Sequence, residues 1–216
     1  MRKMKRIHAA AIALGLMCII VVGVIIVVQP APMNFNDLSW GVGVGESFQY
    51  EIRAWGYSDF GSVSIGQVVP LNSTSITVTV TDLPTFDTVH STDAFASEVI
   101  FKNKVNCSFI NGTALSEWAN ITLSKMLSGS ILPIGNWSVL EALFPDTTPD
   151  FTPNGESIVT IFYDTWFVIK YVWYGSFDDG GSWTGYVSQS TGVPANILWS
   201  YHHGVDTSLQ IELTLV

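Results

Sequence analysis

Residues Ala9–Val28 are twenty consecutive positions without a charge, and no other stretch restricts the chain so severely. As a helix at about 1.5 Å per residue they measure about 30 Å, the thickness of a bilayer's hydrocarbon core. A cleaved signal peptide has a shorter apolar run of about 7–15 residues, with small residues before the cut. Here the run passes straight into Gln29-Pro30-Ala31-Pro32, where Gln29 and Pro32 disfavour cleavage after Ala31. The expectation is an uncleaved signal anchor, with a removed leader as the lesser alternative. Cys18 lies mid-run behind Leu16-Met17, so a lipidated cysteine, which needs small residues before it, is not expected.

Charge orients the anchor. Arg2, Lys3, Lys5 and Arg6 crowd the tail 1–8, and the excess of positive charge places that end in the cytoplasm. Gln29-Pro30-Ala31-Pro32-Met33 opens a stiff linker over 29–37. One extracytoplasmic domain is expected over 38–216. Beyond the anchor, Arg53, Lys102, Lys104, Lys125 and Lys170 face all eighteen acids, a net charge of −13. Nucleic acid and anionic lipid surfaces need clustered Lys and Arg, so neither is an expected partner. Cys107 is the one cysteine outside the anchor, so no disulfide within the domain is available. About 180 residues can bury a sufficient core without one.

Alternation of apolar and polar residues marks strands with one buried face. Ser47–Trp55 sets Phe48, Tyr50, Ile52 and Ala54 against polar neighbours, and Ser75–Thr81 does the same with Ile76, Val78 and Val80. One or two strands are expected within Ala94–Ile110. Helical spacing of Leu115, Ala119, Leu123 and Met126 predicts a helix over Ala114–Leu127. A second is predicted over Trp137–Phe144, capped by Asn136 and stopped by Pro145. Asp146–Gly155 reads as a loop. Ile158–Tyr163, Trp166–Phe177, Trp183–Ser188, Asn196–His203 and Ser208–Leu215 follow as strands, with Asp178-Asp179-Gly180-Gly181 as a hairpin turn. The fold class expected is α+β: a transmembrane helix, then a curved antiparallel meander with about two helices on one face.

The strongest chemical signal is five N-x-S/T sequons, at Asn72, Asn106, Asn111, Asn120 and Asn136. Ser and Thr make up 40 of 216 residues, which predicts only about two sequons by chance. A glycan-coated extracytoplasmic domain fits, although a surface rich in Ser, Thr and Asn matches by composition too.

Catalytic and metal signals are weak beside it. His202 and His203 are adjacent on a predicted strand, so their side chains leave opposite faces. Asp87 and His90 form at most half a site, with no HExxH or paired-cysteine motif to complete it. The chain has no Gly-x-Ser-x-Gly, and Gly41–Gly45 lacks the Lys-Ser/Thr of a phosphate loop. Asp178–Gly181 lacks the spaced carboxylates of a calcium loop. No catalytic residue, metal or cofactor is expected.

Aromatic residues crowd the final strands: Trp166, Tyr171, Trp173, Tyr174, Trp183, Tyr186, Trp199 and Tyr201. Strand propensity alone enriches these types, so a plain aromatic core is the first account. The functional account takes Trp166, Trp173, Trp183, Tyr186, Trp199 and Tyr201 as a platform for sugars or the lining of an apolar cavity.

Gly43-Val44-Gly45-Glu46-Ser47-Phe48-Gln49-Tyr50 resembles the "VGDxFxY" opening of uncharacterised archaeal surface domains, with Glu46 where Asp is commoner. Ile131–Trp137 and Ser190-Thr191-Gly192-Val193-Pro194 are similar to later landmarks of that group. The resemblance implies an archaeal cell-surface location and no established activity. At the level of layout alone, a meander with helices beside it resembles the lipoprotein-carrier half-barrel. The leading expectation is a membrane-anchored, non-enzymatic surface glycoprotein that binds a glycan, lipid or protein, or adheres. A carrier of a hydrophobic ligand between sheet and helices is the alternative, and an enzyme using Asp87 and His90 a distant third.

Overall fold

The computed structural model describes residues 35, 37–58, 68–87, 89–144, 156–163, 165–175, 179–204 and 207–216. The anchor Ala9–Val28 and the loop Asp146–Gly155 lie outside them. Among the described residues, no helix is long and apolar enough to cross a membrane.

Among the described residues the fold is mostly β: one eight-stranded antiparallel sheet with three short helices. The strands are β1 (Ser47–Ser58), β2 (Thr74–Val80), β3 (Val105–Phe109), β4 (Glu156–Phe162), β5 (Trp166–Tyr174), β6 (Asp179–Ser188), β7 (Pro194–His203) and β8 (Thr207–Leu215). Their order across the sheet is β3-β2-β1-β8-β7-β6-β5-β4. Two meanders, β1–β3 and β4–β8, are therefore joined where β8 returns to pair with β1. Ile52 faces Leu213 and Ala54 faces Ile211 across that seam, so the alternation in both strands turns toward one core.

The helices are α1 (Thr92–Phe95), α2 (Glu117–Ser130) and α3 (Trp137–Leu143). Each begins on a side-chain cap that accepts a first-turn N–H: Ser91 from Ala94, Ser116 from Ala119, Asn136 from Val139. Helix α2 starts and ends three residues later than its spacing predicts. Its apolar stripe is continued by Ser128-Gly129-Ser130, small residues that are buried despite their polarity.

Of the one or two strands expected within Ala94–Ile110, one forms, Val105–Phe109; ahead of it Ser91 and Asp93 start α1, which runs into a π turn over Ala96–Ile100. There Phe101 N–H donates to Ala96 O at 2.9 Å, one residue further back than in an α-helix. One expectation fails: Asp179, Gly180 and Gly181 are not a turn. They open β6, with Gly181 paired to Trp173 and Gly180 to Tyr174. A Cβ on Gly181 would stand 2.2 Å from the Trp173 ring, so the glycine makes room for its neighbour rather than bending the chain.

The core fills the face of the sheet that α2 and α3 cover. Ile52, Ile76, Leu123, Leu127, Ile197 and Ile211 are fully buried there, and Phe35 joins by stacking on Phe95 at 5.9 Å. The Tyr50 hydroxyl donates to Pro194 O at 2.7 Å, and burial pushes its phenol well above the usual range.

Candidate functional site

Register decides which aromatic residues meet. On the covered face, antiparallel partners run Glu156–Trp173–Gly181–Tyr201 from β4 to β7. The next row is Ile158–Tyr171–Trp183–Trp199. Cross-strand neighbours on one face lie about 4.5–5.5 Å apart, so these rings must touch. Tyr171 stacks on Trp173 at 5.7 Å and lies 5.8 Å from Trp183, while Trp199 stacks on Tyr201 at 6.2 Å.

Helix α2 roofs this surface. Trp118, Ile121, Thr122, Lys125 and Met126 fall on one side of it at helical spacing. Between them and Glu156, Tyr171, Trp173, Trp183 and Trp199 lies a cleft of about 230 Å³. Trp118 meets Trp199 edge-on at 6.1 Å and closes one wall. The exposed Ile121, Lys125 and Glu156 mark its mouth.

Thr122, Lys125, Glu156 and the Tyr171 phenol bring polar groups to an otherwise apolar site. Lys125 Nζ stands 5.6 Å from the centre of the Tyr171 ring, a cation–π distance. Burial, reinforced by a hydrogen bond to Glu156 and by its negative charge, holds the Tyr171 phenol well above its usual range. The Trp183 indole N–H is buried and has no hydrogen-bond partner among the described residues. An unpaired buried N–H costs about 1–3 kcal/mol, here a penalty of the packing rather than a donor open to a ligand.

Trp173, Trp183 and Trp199 thus come together in the cleft, and Tyr201 adjoins through Trp199. Trp166 and Tyr186 do not. They pair with Ser188 and Val168 on the opposite face, where both are exposed. Sequence reasoning missed Trp118, Ile121, Thr122, Lys125 and Met126 on α2. It also left out Glu156 and Tyr171. The available signal was the Trp118, Thr122, Lys125 spacing, which sets three contact-capable side chains on one helical face.

Asn72, Asn106 and Asn111 are exposed, while Asn120 and Asn136 are half-buried. Their Oδ1 atoms are engaged in several cases: Asn72 accepts from Ala54 N at 3.1 Å and Asn111 from Thr113 N at 3.0 Å. A glycan joins the amide nitrogen, so these bonds leave the attachment atom free. Asn120 sits on α2 two residues before Thr122 of the cleft.

His90 and Asp87 are exposed, and His203 lies 3.8 Å from Asp179 in an open pair. Among the described residues, no three His, Cys, Asp or Glu are grouped to hold a metal ion. Lys104 is the other unusual group. It is fully buried, its ammonium donates to Val99 O, and it stands 5.7 Å from the Trp40 ring. Desolvation first, then the charge of Lys102, lower it from 10.5 to about 7.

Comparison of the chain with protein-family models, with curated proteins and with solved structures gave no match.

Proposed function

We propose that the chain is a membrane-anchored surface glycoprotein whose outer domain holds a small ligand in the aromatic cleft without transforming it. The observation that carries this is the convergence of five rings from α2, β5, β6 and β7 on one open cleft with Lys125 and Glu156 among its lining. An aromatic core alone needs no such opening. The anchor-length run Ala9–Val28, the basic tail before it and the five sequons support the location.

The lining supports a reading of binding without turnover. Glu156 is the one carboxylate among the described lining residues, and acid–base hydrolysis of a glycoside uses a pair. A hydrophobic-ligand carrier fits less well. Each methylene placed there gains about 0.8 kcal/mol, while covering Lys125 or Glu156 unpaired costs about 1–3 kcal/mol or more apiece.

Tryptophan emission of the full chain in lipid nanodiscs, titrated with neutral oligosaccharides, palmitate and choline, tests the proposal. One class is expected to shift the emission saturably, and Trp173→Ala to abolish the shift. A flat response to all three classes overturns it.

A further inference from the structure

The geometry points to a neutral sugar ring, one hexopyranose unit of a longer glycan, as the occupant. This rests on the proposal that the cleft binds a ligand. It adds the chemical class, and the class follows from charge, shape and hydrogen-bonding capacity taken together.

Charge comes first. Lys125 and Glu156 sit at the same mouth, so the site carries no net charge from this pair. A quaternary ammonium ligand would seek a ring face and a carboxylate, as in an aromatic cage. Here the Lys125 ammonium already stands over Tyr171, so a second cation meets like charge at the face it needs. An anion meets Glu156 in the same way. Neutral ligands escape both penalties.

Among neutral ligands, hydrogen bonding separates sugar from hydrocarbon. The cleft offers the Lys125 ammonium as donor, the Glu156 carboxylate as acceptor and the Thr122 hydroxyl as either. A sugar hydroxyl donates once and accepts twice, so one ring with hydroxyls on its rim can serve all three. An acyl chain serves none and leaves the charged pair at the mouth without partners. The flat faces complete the match. A pyranose presents a C–H face that lies against an aromatic ring, and Trp173 and Trp199 flank the site from β5 and β7. The open mouth lets further sugar units leave toward solvent.

The test uses the full chain in lipid nanodiscs with maltotriose, cellotriose, mannotriose and chitotriose, beside palmitate and choline. Saturation-transfer NMR reads ligand contact, and tryptophan emission gives the affinity. At least one trisaccharide is expected to bind, with ring C–H protons receiving the strongest transfer. Glu156→Gln keeps the shape and removes the charge, and is expected to weaken that binding about tenfold or more. Trp173→Ala is expected to lose it, while Trp166→Ala, on the opposite face, leaves it unchanged. Should Trp173→Ala fail to fold, Glu156→Gln and Lys125→Met carry the test. Binding of palmitate or choline without any trisaccharide overturns the sugar assignment and leaves a binding cleft standing. Silence from every probe overturns both.

Discussion

The two ends of α2 lie over the same sheet and meet it in opposite ways. At the C-terminal end, Met126 to Ser130 are buried on every side. Gly129 lets the Trp183 ring approach so closely that a Cβ would stand 2.5 Å from it, and Gly185 of β6 does the same for Ser130 Oγ at 2.6 Å. Small residues face each other, and helix and sheet touch. Toward the N-terminal end the facing residues are Trp118 and Trp199, which meet edge-on. Rings of that size hold the helix away, and the cleft is the space that remains. One helix thus supplies both a fastening and a roof, and side-chain volume decides which.

The largest expected effect separates the two ends by stability. Leu127 is fully buried at the fastened end, and Leu127→Ala should cost about 3 kcal/mol, from lost burial plus the cavity left behind. Ile121, 60% exposed at the roof, should change by no more than about 0.5 kcal/mol when cut to alanine. Urea unfolding of both variants checks this. Equal losses at the two ends would mean that the roof is packed as tightly as the fastening.

A second contrast uses the two lysines near α2. Lys125 at the roof is exposed, whereas Lys104, whose backbone N–H donates to Ser128 Oγ at 2.8 Å, is buried beside the fastened end. Burial lowers Lys104 from 10.5 to about 7, so between these values the unfolded chain binds the extra proton. Stability must therefore rise with pH across that window, with the penalty fully present below 7 and gone above 10.5. From pH 7 to 8.5 the gain is about 1.5 kcal/mol. Above 9 it is opposed, because burial pushes the Cys107 thiol from 9.0 up to about 11, and the unfolded thiol ionises first. Melting temperature should climb by about 3–6 °C between pH 7 and 8.5. Lys104→Met should flatten that slope, and a slope unchanged in the variant would remove Lys104 as its source.

The fold was legible where one face of an element meets water. Alternation in β1, β2 and β8 gave their inward residues, because each is half-solvated and the period of two survives in the sequence. Whether Ala94–Ile110 held one strand or two was not legible, for the opposite reason: Val99, Ile100 and Phe101 are strand-prone types, yet Ser91 caps a helix just before them. The quoted landmarks Ile131–Trp137 and Ser190–Pro194 turn out to touch each other. Leu132 N–H donates to Gly192 O at 2.9 Å, and Gly192, at φ +71°, lets its backbone come where a Cβ would strike Leu132 O. That junction explains their form structurally, apart from the cleft. As for the site, the aromatic crowding of β5–β7 was plain, but which rings share a face depends on register. Trp166 and Trp173 are seven residues apart on one strand and so leave opposite faces. The helical half was hidden, because Trp118, Thr122 and Lys125 look like an ordinary solvated face until the sheet is placed beneath them.

The smallest effect is the most direct probe of the fastening. Gly129→Ala replaces the worst helix former but proline with the best, a gain of about 1 kcal/mol in an exposed helix. Here the added methyl meets the Trp183 ring at 2.5 Å, and overpacking of a filled core costs about 1–3 kcal/mol. The clash should win by about 1 kcal/mol, because the atoms in the way belong to a ring wedged between β5 and β7 rather than to a flexible chain end. The ring's easiest escape is into the cleft it lines, so ligand affinity should fall together with stability, and Trp183 emission should shift in the absence of ligand. A stabilised variant with unchanged emission would mean that α2 lifts as a rigid rod, and that the gap between helix and sheet is set at the Trp118 end instead.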